Sequence, residues 1–133
     1  MIVGKKSDVR IRKLCNNRSN QAIDYAIDQI RKSKIACYMS GIFLYGSCAR
    51  NEQTYESDVD LLIELQPSFR AREKRIELIS ELVGRLSDID DGLPKIDIKF
   101  VIGDEWRTDE HIFYQNVRRD GIKINLADCK SKQ

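Results

Sequence analysis

Residues 44–65, LYGSCARNEQTYESDVDLLIEL, decide the fold prediction for this chain. An apolar run ends at Gly46 and Ser47, ten loop residues follow, and Asp58 and Asp60 stand at the head of a second apolar run. Residues two apart in a strand point to the same side, so the two carboxylates face one place roughly 7 Å apart along the backbone. Two like charges held together repel each other, and their usual partner is a hard divalent cation such as Mg²⁺.

The turn that ends the first apolar run predicts an anion site beside those carboxylates. A Gly-Ser turn leaves backbone N–H groups free to point at an anion, with Gly46 allowing close approach and Ser47 adding a hydroxyl. The later segment 95–102, KIDIKFVI, alternates so that Asp97 projects from one face of its strand. If the two strands are neighbours, Asp97 adds a third carboxylate. The combination predicts a nucleotide site.

Asp88 and Asp90 form a second acid-x-acid pair, with the same Ser-Asp-x-Asp pattern as the first pair. It has no Gly-Ser turn at the right distance upstream, and it runs into Gly92 and Pro94 where the first pair runs into Leu61 and its apolar neighbours. We therefore predict that the second pair belongs to a turn that ends a helix.

Apolar periodicity predicts three helices around the strands. The first is expected from about residue 19 to about residue 38. The second is expected to begin at Pro67 and Ser68 and to place on the sheet a stripe made of Ile76, Leu78, Ile79, Leu82, Val83 and Leu86. The third is expected from Thr108, as N-cap, to Arg119, with Gly121 as a left-handed C-cap, and one short strand follows. This order of elements predicts an α/β domain.

Composition fits one domain, predicted to span residues 1–133 with its core at about 19–125. The net charge of +2 gives no global basic field, so nothing argues directly for nucleic acid or a membrane surface. No apolar run reaches the ~18 residues of a membrane span. The four cysteines form no CxxC pair and are expected to be reduced thiols, so we expect a cytoplasmic protein without a membrane partner.

The pattern Gly46-Ser47, ten residues, Asp58-Val59-Asp60 resembles the signature of the polymerase β-like nucleotidyltransferase superfamily, and most closely its minimal members. The resemblance extends over most of the chain, including the strand acid Asp97 and the closing segment VRRDGIKIN. It implies a small α/β (α+β) fold, a mixed sheet with helices packed against it. One departure is Asn51-Glu52, which stands where family members often have a glycine.

The resemblance also implies an activity, the transfer of a nucleoside monophosphate from a triphosphate to an acceptor hydroxyl. Asp58, Asp60 and Asp97 would then be the catalytic and metal-binding residues for two Mg²⁺ ions, with Asp97 nearest the nucleophile. Four residues are assigned to nucleotide binding: Gly46, Ser47, Arg50 and Ser57. ATP is the expected substrate.

Minimal nucleotidyltransferases commonly pair with a helical HEPN-type toxin and silence it by adding AMP to a tyrosine, so the resemblance implies an antitoxin. Two alternatives stay open: a partner-binding module of the same fold without catalysis, and an enzyme acting on a small hydroxyl compound of the aminoglycoside kind. A homo-oligomer is also left open.

Four further residues are expected to have structural roles. His111 is expected to be a surface or capping residue rather than a base. Trp106, Phe113 and Tyr114 are expected to lie in the core or face a partner rather than stack on a nucleobase.

Overall fold

The computed structural model describes the backbone of residues 2–125 and the side chains of residues 16–125. Three helices and four strands alternate along this part of the chain. They are α1 (Ile2–Lys32), β1 (Met39–Tyr45), β2 (Val59–Leu65), α2 (Arg75–Ser87), β3 (Ile96–Ile102), α3 (Ile112–Asp120) and β4 (Ile122–Ile124). The predicted order of elements and the predicted α/β class are confirmed.

The four strands form one mixed sheet in the order β3-β2-β1-β4. β1 runs antiparallel to both β2 and β4, whereas β2 and β3 are parallel. β2 is therefore an interior strand, and Leu61, Leu62 and Ile63, which form an unbroken apolar run, are fully buried.

Alternation along β2 divides the core into two layers. Leu61 and Ile63 belong to the layer beneath α1 and α2, together with the buried residues Ala22, Ala26, Ile30, Leu82 and Leu86. Leu62 belongs to the layer on the opposite face, with Phe43, Tyr45, Trp106 and Val117. Because side chains two apart share a face, Asp60 lies on the same face as Leu62. The acids thus face the α3 side of the sheet.

The first helix differs from its predicted bounds at both ends. α1 begins at Ile2 rather than near residue 19, and it ends at Lys32 rather than near residue 38. Ser33 adopts extended backbone, and its hydroxyl donates to the Ile30 carbonyl at 2.6 Å. The next amide, that of Lys34, donates to Glu81 at 2.8 Å. These bonds use backbone groups that a further helical turn would need, and residues Lys34–Tyr38 form a 3-10 turn instead.

The second helix begins later than predicted, and its buried face is rotated about the helix axis relative to the predicted face. Pro67 and Ser68 open a 3-10 turn, and α2 begins only at Arg75. Leu82 and Leu86 are buried as expected, but Ile76 is 81% exposed and Val83 is 41% exposed. The prediction was wrong for these two residues, because the stripe that contacts the sheet contains Leu78, Ile79, Leu82, Leu86 and the following Ile89.

The third helix begins at Ile112, not after an N-cap at Thr108. His111 is the N-cap, and its Nδ1 accepts a hydrogen bond from the Phe113 amide at 3.2 Å, which confirms the predicted capping role. The predicted left-handed C-cap at Gly121 is wrong, because this residue has φ −66° and ψ 138°. A Cβ at Gly121 would instead collide with the Val117 carbonyl, which accounts for the glycine.

Across the described residues, no helix combines the length and the apolar character that a membrane crossing requires.

Candidate active site

The ends of three adjacent strands bring Tyr45, Asp60 and Asp97 into one row. Tyr45 of β1 is the register partner of Asp60 on β2, and Asp60 is the register partner of Asp97 on β3. Register partners on neighbouring strands share a face of the sheet and lie about 5 Å apart. The parallel pairing of β2 with β3 therefore places Asp97 beside Asp60, which is the condition that the sequence left open.

Asp58 lies one residue before β2, on the same side as Asp60. It is exposed, and its carbonyl oxygen lies 3.6 Å from the Cys48 thiol of the turn that follows β1. Burial raises the pKa of that thiol, and the negative charges of Asp60 and Asp58 contribute further. A neutral thiol at this place ties the turn to the start of β2 without adding charge.

Burial and the neighbouring acids act together on Asp60. Burial, together with the charges of Asp97 and Asp58, raises the pKa of Asp60 to about 6, while Lys99 and Arg50 act in the opposite direction. Burial also raises the pKa of the Tyr45 phenol above its ordinary value, with smaller contributions from Asp60 and Asp97. The row is a concentration of negative charge that favours a bound cation.

The Gly-Ser turn lies directly against this row. Gly46 has φ +75°, a conformation that favours glycine, and a Cβ added there would collide with the carboxylate of Asp60. Its carbonyl accepts from the amides of Ala49 and Arg50 at 3.1 and 3.2 Å, which closes the 3-10 turn Gly46–Cys48. Glycine is therefore required twice at this position, for its backbone and for the space beside the acid.

The loop after the turn contains one strained residue. Asn51 has φ 57°, in the left-handed region, where glycine and asparagine are the usual occupants. This is the position at which the sequence departs from the glycine that the family often has. Asparagine adopts this left-handed backbone more readily than most residues, so the loop does not need a glycine at position 51.

Two of the residues assigned to nucleotide binding are engaged within the protein. Arg50 is bonded to Glu52 at 2.8 Å and to Asp120 at 3.2 Å. The Ser57 hydroxyl accepts from the Thr54 amide at 2.9 Å and holds the loop in a turn. The roles of Arg50 and Ser57 toward a nucleotide stay predictions.

Asp97 has a protein partner of its own. The ammonium of Lys99, two residues along β3, lies 3.3 Å from both of its carboxylate oxygens. Both side chains are about half exposed, so the pair is open to solvent and contributes little to stability. The ammonium of Lys99 partly neutralises the charge of the Asp97 carboxylate.

The carboxylates of Asp58 and Asp60 are of the ligand type that Mg²⁺ prefers. Within residues 16–125, no group of three or more His, Cys, Asp or Glu side chains could by itself hold a metal ion. Mg²⁺ does not require one, because it binds through one or two carboxylates and completes its shell with phosphate oxygens and water. Asp58 and Asp60 would supply hard oxygen ligands to such an ion, and the Gly46 turn lies directly beside Asp60.

Sequence reasoning missed three features of the molecule. Tyr45 was not singled out, although as the last residue of β1 before the Gly-Ser turn it is fixed next to the acids. Lys99, whose ammonium lies beside Asp97, was not assigned to the site. Glu64, the one acid within the apolar run of β2, was also passed over.

Glu64 is buried near the end of β2, on the face of the sheet that packs against α3 and away from the acids at the start of β2. Its carboxylate accepts from the Trp106 indole at 2.7 Å, from the Arg107 guanidinium through two bonds of 3.1 Å, and from the Ser40 hydroxyl at 3.0 Å. Burial alone would raise the pKa of Glu64, but these hydrogen bonds lower it below its ordinary value. The network fixes the segment before α3 onto the sheet.

Comparison with known sequences gives two findings. The model of the family described as "Nucleotidyltransferase domain" matches residues 27–129. A candidate protein adenylyltransferase of Methanocaldococcus jannaschii is 38% identical over 55 residues, covering 38% of this chain and 55% of that protein. The chain thus spans about half the length of this curated relative.

One solved structure supports the same fold. A candidate nucleotidyltransferase from Sulfolobus solfataricus superposes with a TM-score of 0.54 at 14% identity, covering 82% of this chain and 84% of the other. A toxin–antitoxin structure with AMP-PNP is less similar, with a TM-score of 0.45 at 20% identity and coverage of 79% of this chain and 75% of the other. The family model matches more than half of the residues of this chain, so this chain belongs to the nucleotidyltransferase domain family.

Proposed function

We propose that this chain transfers AMP from ATP to a hydroxyl acceptor in a Mg²⁺-dependent reaction, and that the acceptor is a tyrosine of a HEPN-type toxin. One observation carries the proposal: the Gly46 turn lies against Asp60, and Asp60 lies in register with Asp97. A phosphate-binding turn and a row of carboxylates are the two parts that nucleotidyl transfer needs at one place. The antitoxin role follows from the family resemblance.

Each residue of the site has a role in this scheme. The Gly46-Ser47 turn holds the β- and γ-phosphates, while Asp58 and Asp60 hold the metal. Mg²⁺, when bound, neutralises the charge that develops on the phosphate oxygens. Asp97 accepts the proton of the acceptor hydroxyl, and Lys99 keeps its carboxylate oriented until the acceptor arrives.

The reaction balances as a single displacement. The acceptor oxygen forms a bond to the α-phosphorus, and the bond from that phosphorus to the bridging oxygen of the leaving group breaks. Pyrophosphate departs with the electron pair, and the hydroxyl proton passes to Asp97. No oxidant, reductant or further co-reactant is needed.

The test uses ATP labelled at the α-phosphate, Mg²⁺ and host lysate. We expect the wild-type protein to place label on a small protein and the Asp60→Asn variant to place none. Asp88→Asn is the matched control, because Asp88 belongs to the second acid-x-acid pair, is exposed and lies outside the row. Equal labelling by wild type and Asp60→Asn would contradict the proposal.

A second candidate is a partner-binding module that neutralises its target by contact alone. It is favoured by ion pairs that neutralise charges within the site. Lys99 pairs with Asp97, and both Glu52 and Asp120 pair with Arg50. The Asp60→Asn variant separates the two candidates in cells that produce the toxin. Loss of protection supports the enzyme, and retained protection supports the module.

A further inference from the structure

The outward face of α2 carries apolar side chains where a solvent-facing helix is normally polar. Ile76 is 81% exposed and Val83 is 41% exposed, and their spacing of seven residues points them in the same direction. We define the α2 outer face by five exposed residues: Ile76, Ser80, Val83, Gly84 and Ser87. We infer that two copies of this chain pair through the α2 outer face, with their α2 helices antiparallel about a two-fold axis.

The fold of one copy does not require the glycine at position 84. Gly84 lies inside α2, where glycine lowers helix stability relative to alanine. Its φ is not positive, and a Cβ added there would meet no heavy atom within 4 Å among the described residues. A second helix that approaches closely at this point does need the missing side chain.

The α2 outer face consists of a protruding side chain and a hole. Four of its residues stand at positions i, i+3, i+4 and i+7, which surround a hole on the surface of a helix: Ser80, Val83, Gly84 and Ser87. Gly84 leaves the hole open, and the Ser87 hydroxyl donates to the Val83 carbonyl at 2.8 Å, so this hydroxyl is already bonded. In an antiparallel pair, Ile76 of each copy enters the hole of the other copy.

The segments on either side of α2 carry opposite charges. Residues 70–75, RAREKR, have four bases and one acid, whereas residues 88–91, DIDD, have three acids, and all these charged residues are exposed. Bases before a helix and acids after it oppose the helix dipole, so these flanks do not stabilise α2 by themselves. The register that seats Ile76 in the hole also brings the basic segment of one copy opposite the acidic segment of the other. Antiparallel pairing therefore neutralises both ends of the helix.

The symmetry of the α2 outer face favours a second copy over an unrelated protein. The protruding Ile76 and the hole, like the basic and acidic segments, lie at matched distances on either side of a point near Ser80. This is the condition for pairing of two identical surfaces. The pairing leaves the row of acids open, because α2 packs on the face of the sheet opposite to Asp60. The dimer goes beyond the proposed function, and the two can be tested separately.

The first test measures the molecular mass of the full chain by sedimentation equilibrium. The apolar contact is small, so we expect a weak monomer–dimer equilibrium with a dissociation constant of about 10–100 μM at about 0.05 M salt. At about 0.5 M salt the dissociation constant should rise about tenfold, because the charges at the helix ends are exposed and become screened. A monomer at about 1 mM protein in low salt, or a dimer that salt does not weaken, would overturn the inference.

Gly84→Gln separates pairing from folding. In dilute solution its urea midpoint should not fall, because the new side chain enters open space and glutamine favours helix over glycine. The same side chain fills the hole, so the dissociation constant should rise by about tenfold or more. Ile76→Asp should weaken pairing equally, and Ile112→Asp, at an exposed isoleucine of α3, is the matched control that should pair like wild type. Pairing of Gly84→Gln and Ile76→Asp at wild-type strength, or loss of pairing in Ile112→Asp alone, would overturn the inference.

An exchange of charges tests the antiparallel register. Arg72→Glu and Asp88→Arg should each raise the dissociation constant by about fivefold, and the double variant should restore it. Arg72 and Asp88 flank opposite ends of α2, which is about 20 Å long, so they cannot contact each other within one copy. Arg72 also lies over the ring of Tyr38 at 5.2 Å, but this contact is lost in the single and the double variant alike. A double variant that pairs no better than the single variants would overturn the antiparallel arrangement.

Discussion

Replacing Asp60 with asparagine should make the protein more stable at neutral pH. Burial and the neighbouring charges of Asp97 and Asp58 raise the pKa of this carboxyl from an ordinary 3.8 to about 6. One pKa unit corresponds to about 1.4 kcal/mol, so ionising Asp60 costs at most about 3 kcal/mol of unfolding free energy. Solvent reaches the side chain and screens it, so we expect a gain of about 1–2 kcal/mol for Asp60→Asn.

The pH dependence gives the sign of this effect. A carboxyl whose pKa is raised by folding binds its proton more tightly in the folded state, so its stabilisation is present below about pH 4 and lost as the pH rises through about 6. The asparagine side chain of the variant does not titrate. The advantage of Asp60→Asn should therefore be near zero at about pH 4 and reach its full size at about pH 8.

The measurement is urea unfolding followed by the fluorescence of Trp106, the single tryptophan, which is buried. Asp91→Asn, in an exposed turn, is the control for removing one negative charge and should change stability by less than about 0.5 kcal/mol. Mg²⁺ with ATP should stabilise wild type more than Asp60→Asn. If Asp60→Asn is the less stable protein at about pH 8, Asp60 is held by favourable contacts, and the reasoning from crowded acids is refuted.

Three other variants test separate parts of the structure. Gly46→Ala should lower stability by about 1–3 kcal/mol and abolish the amide shifts caused by ATP, because it strains a positive φ and collides with Asp60; unchanged ATP shifts would count against the turn as the phosphate site. Glu64→Gln should lower stability by about 1–3 kcal/mol in urea unfolding, because it weakens a buried charged network, with ATP binding retained. Lys99→Met should raise the pKa of Asp60 further, as seen in a carboxyl ¹³C titration, because a positive charge that lowers this pKa is removed; a fall would contradict the assigned geometry.

The acids of the site were predictable because their positions depend on local rules. Asp58 and Asp60 share a side by strand alternation, and the Gly-Ser turn is marked by its own residues. The approach of Asp97 to Asp60 depends on parallel pairing of β2 with β3, which is a property of the sheet order and not of either strand. The sequence shows that Asp97 could join the acids if the two strands are neighbours. Whether they are neighbours is visible only in the assembled sheet.

The errors arose where tertiary contacts choose between equivalent local patterns. Ile76 and Val83 repeat at helical spacing just as Leu82 and Leu86 do, and only the position of the sheet decides which stripe is buried. Gly121 stands where a left-handed cap is common, but its real constraint is the Val117 carbonyl.

Helix ends were the least predictable part of the fold. α1 ends at Lys32 because Glu81, far along the chain, accepts from the amide of Lys34. α3 begins at Ile112 because a histidine side chain supplies the cap.

The most direct test of whether this site transfers a nucleoside monophosphate compares two positions of the label on ATP. The purified chain, Mg²⁺ and the acceptor protein found in lysate are incubated with ATP labelled at either the α- or the γ-phosphate. We expect that only the α-label stays on the acceptor, that the γ-label leaves as pyrophosphate, and that Asp60→Asn lowers the rate by about a thousandfold or more. Transfer of the γ-label to the acceptor, or an unchanged rate in Asp60→Asn, would contradict it.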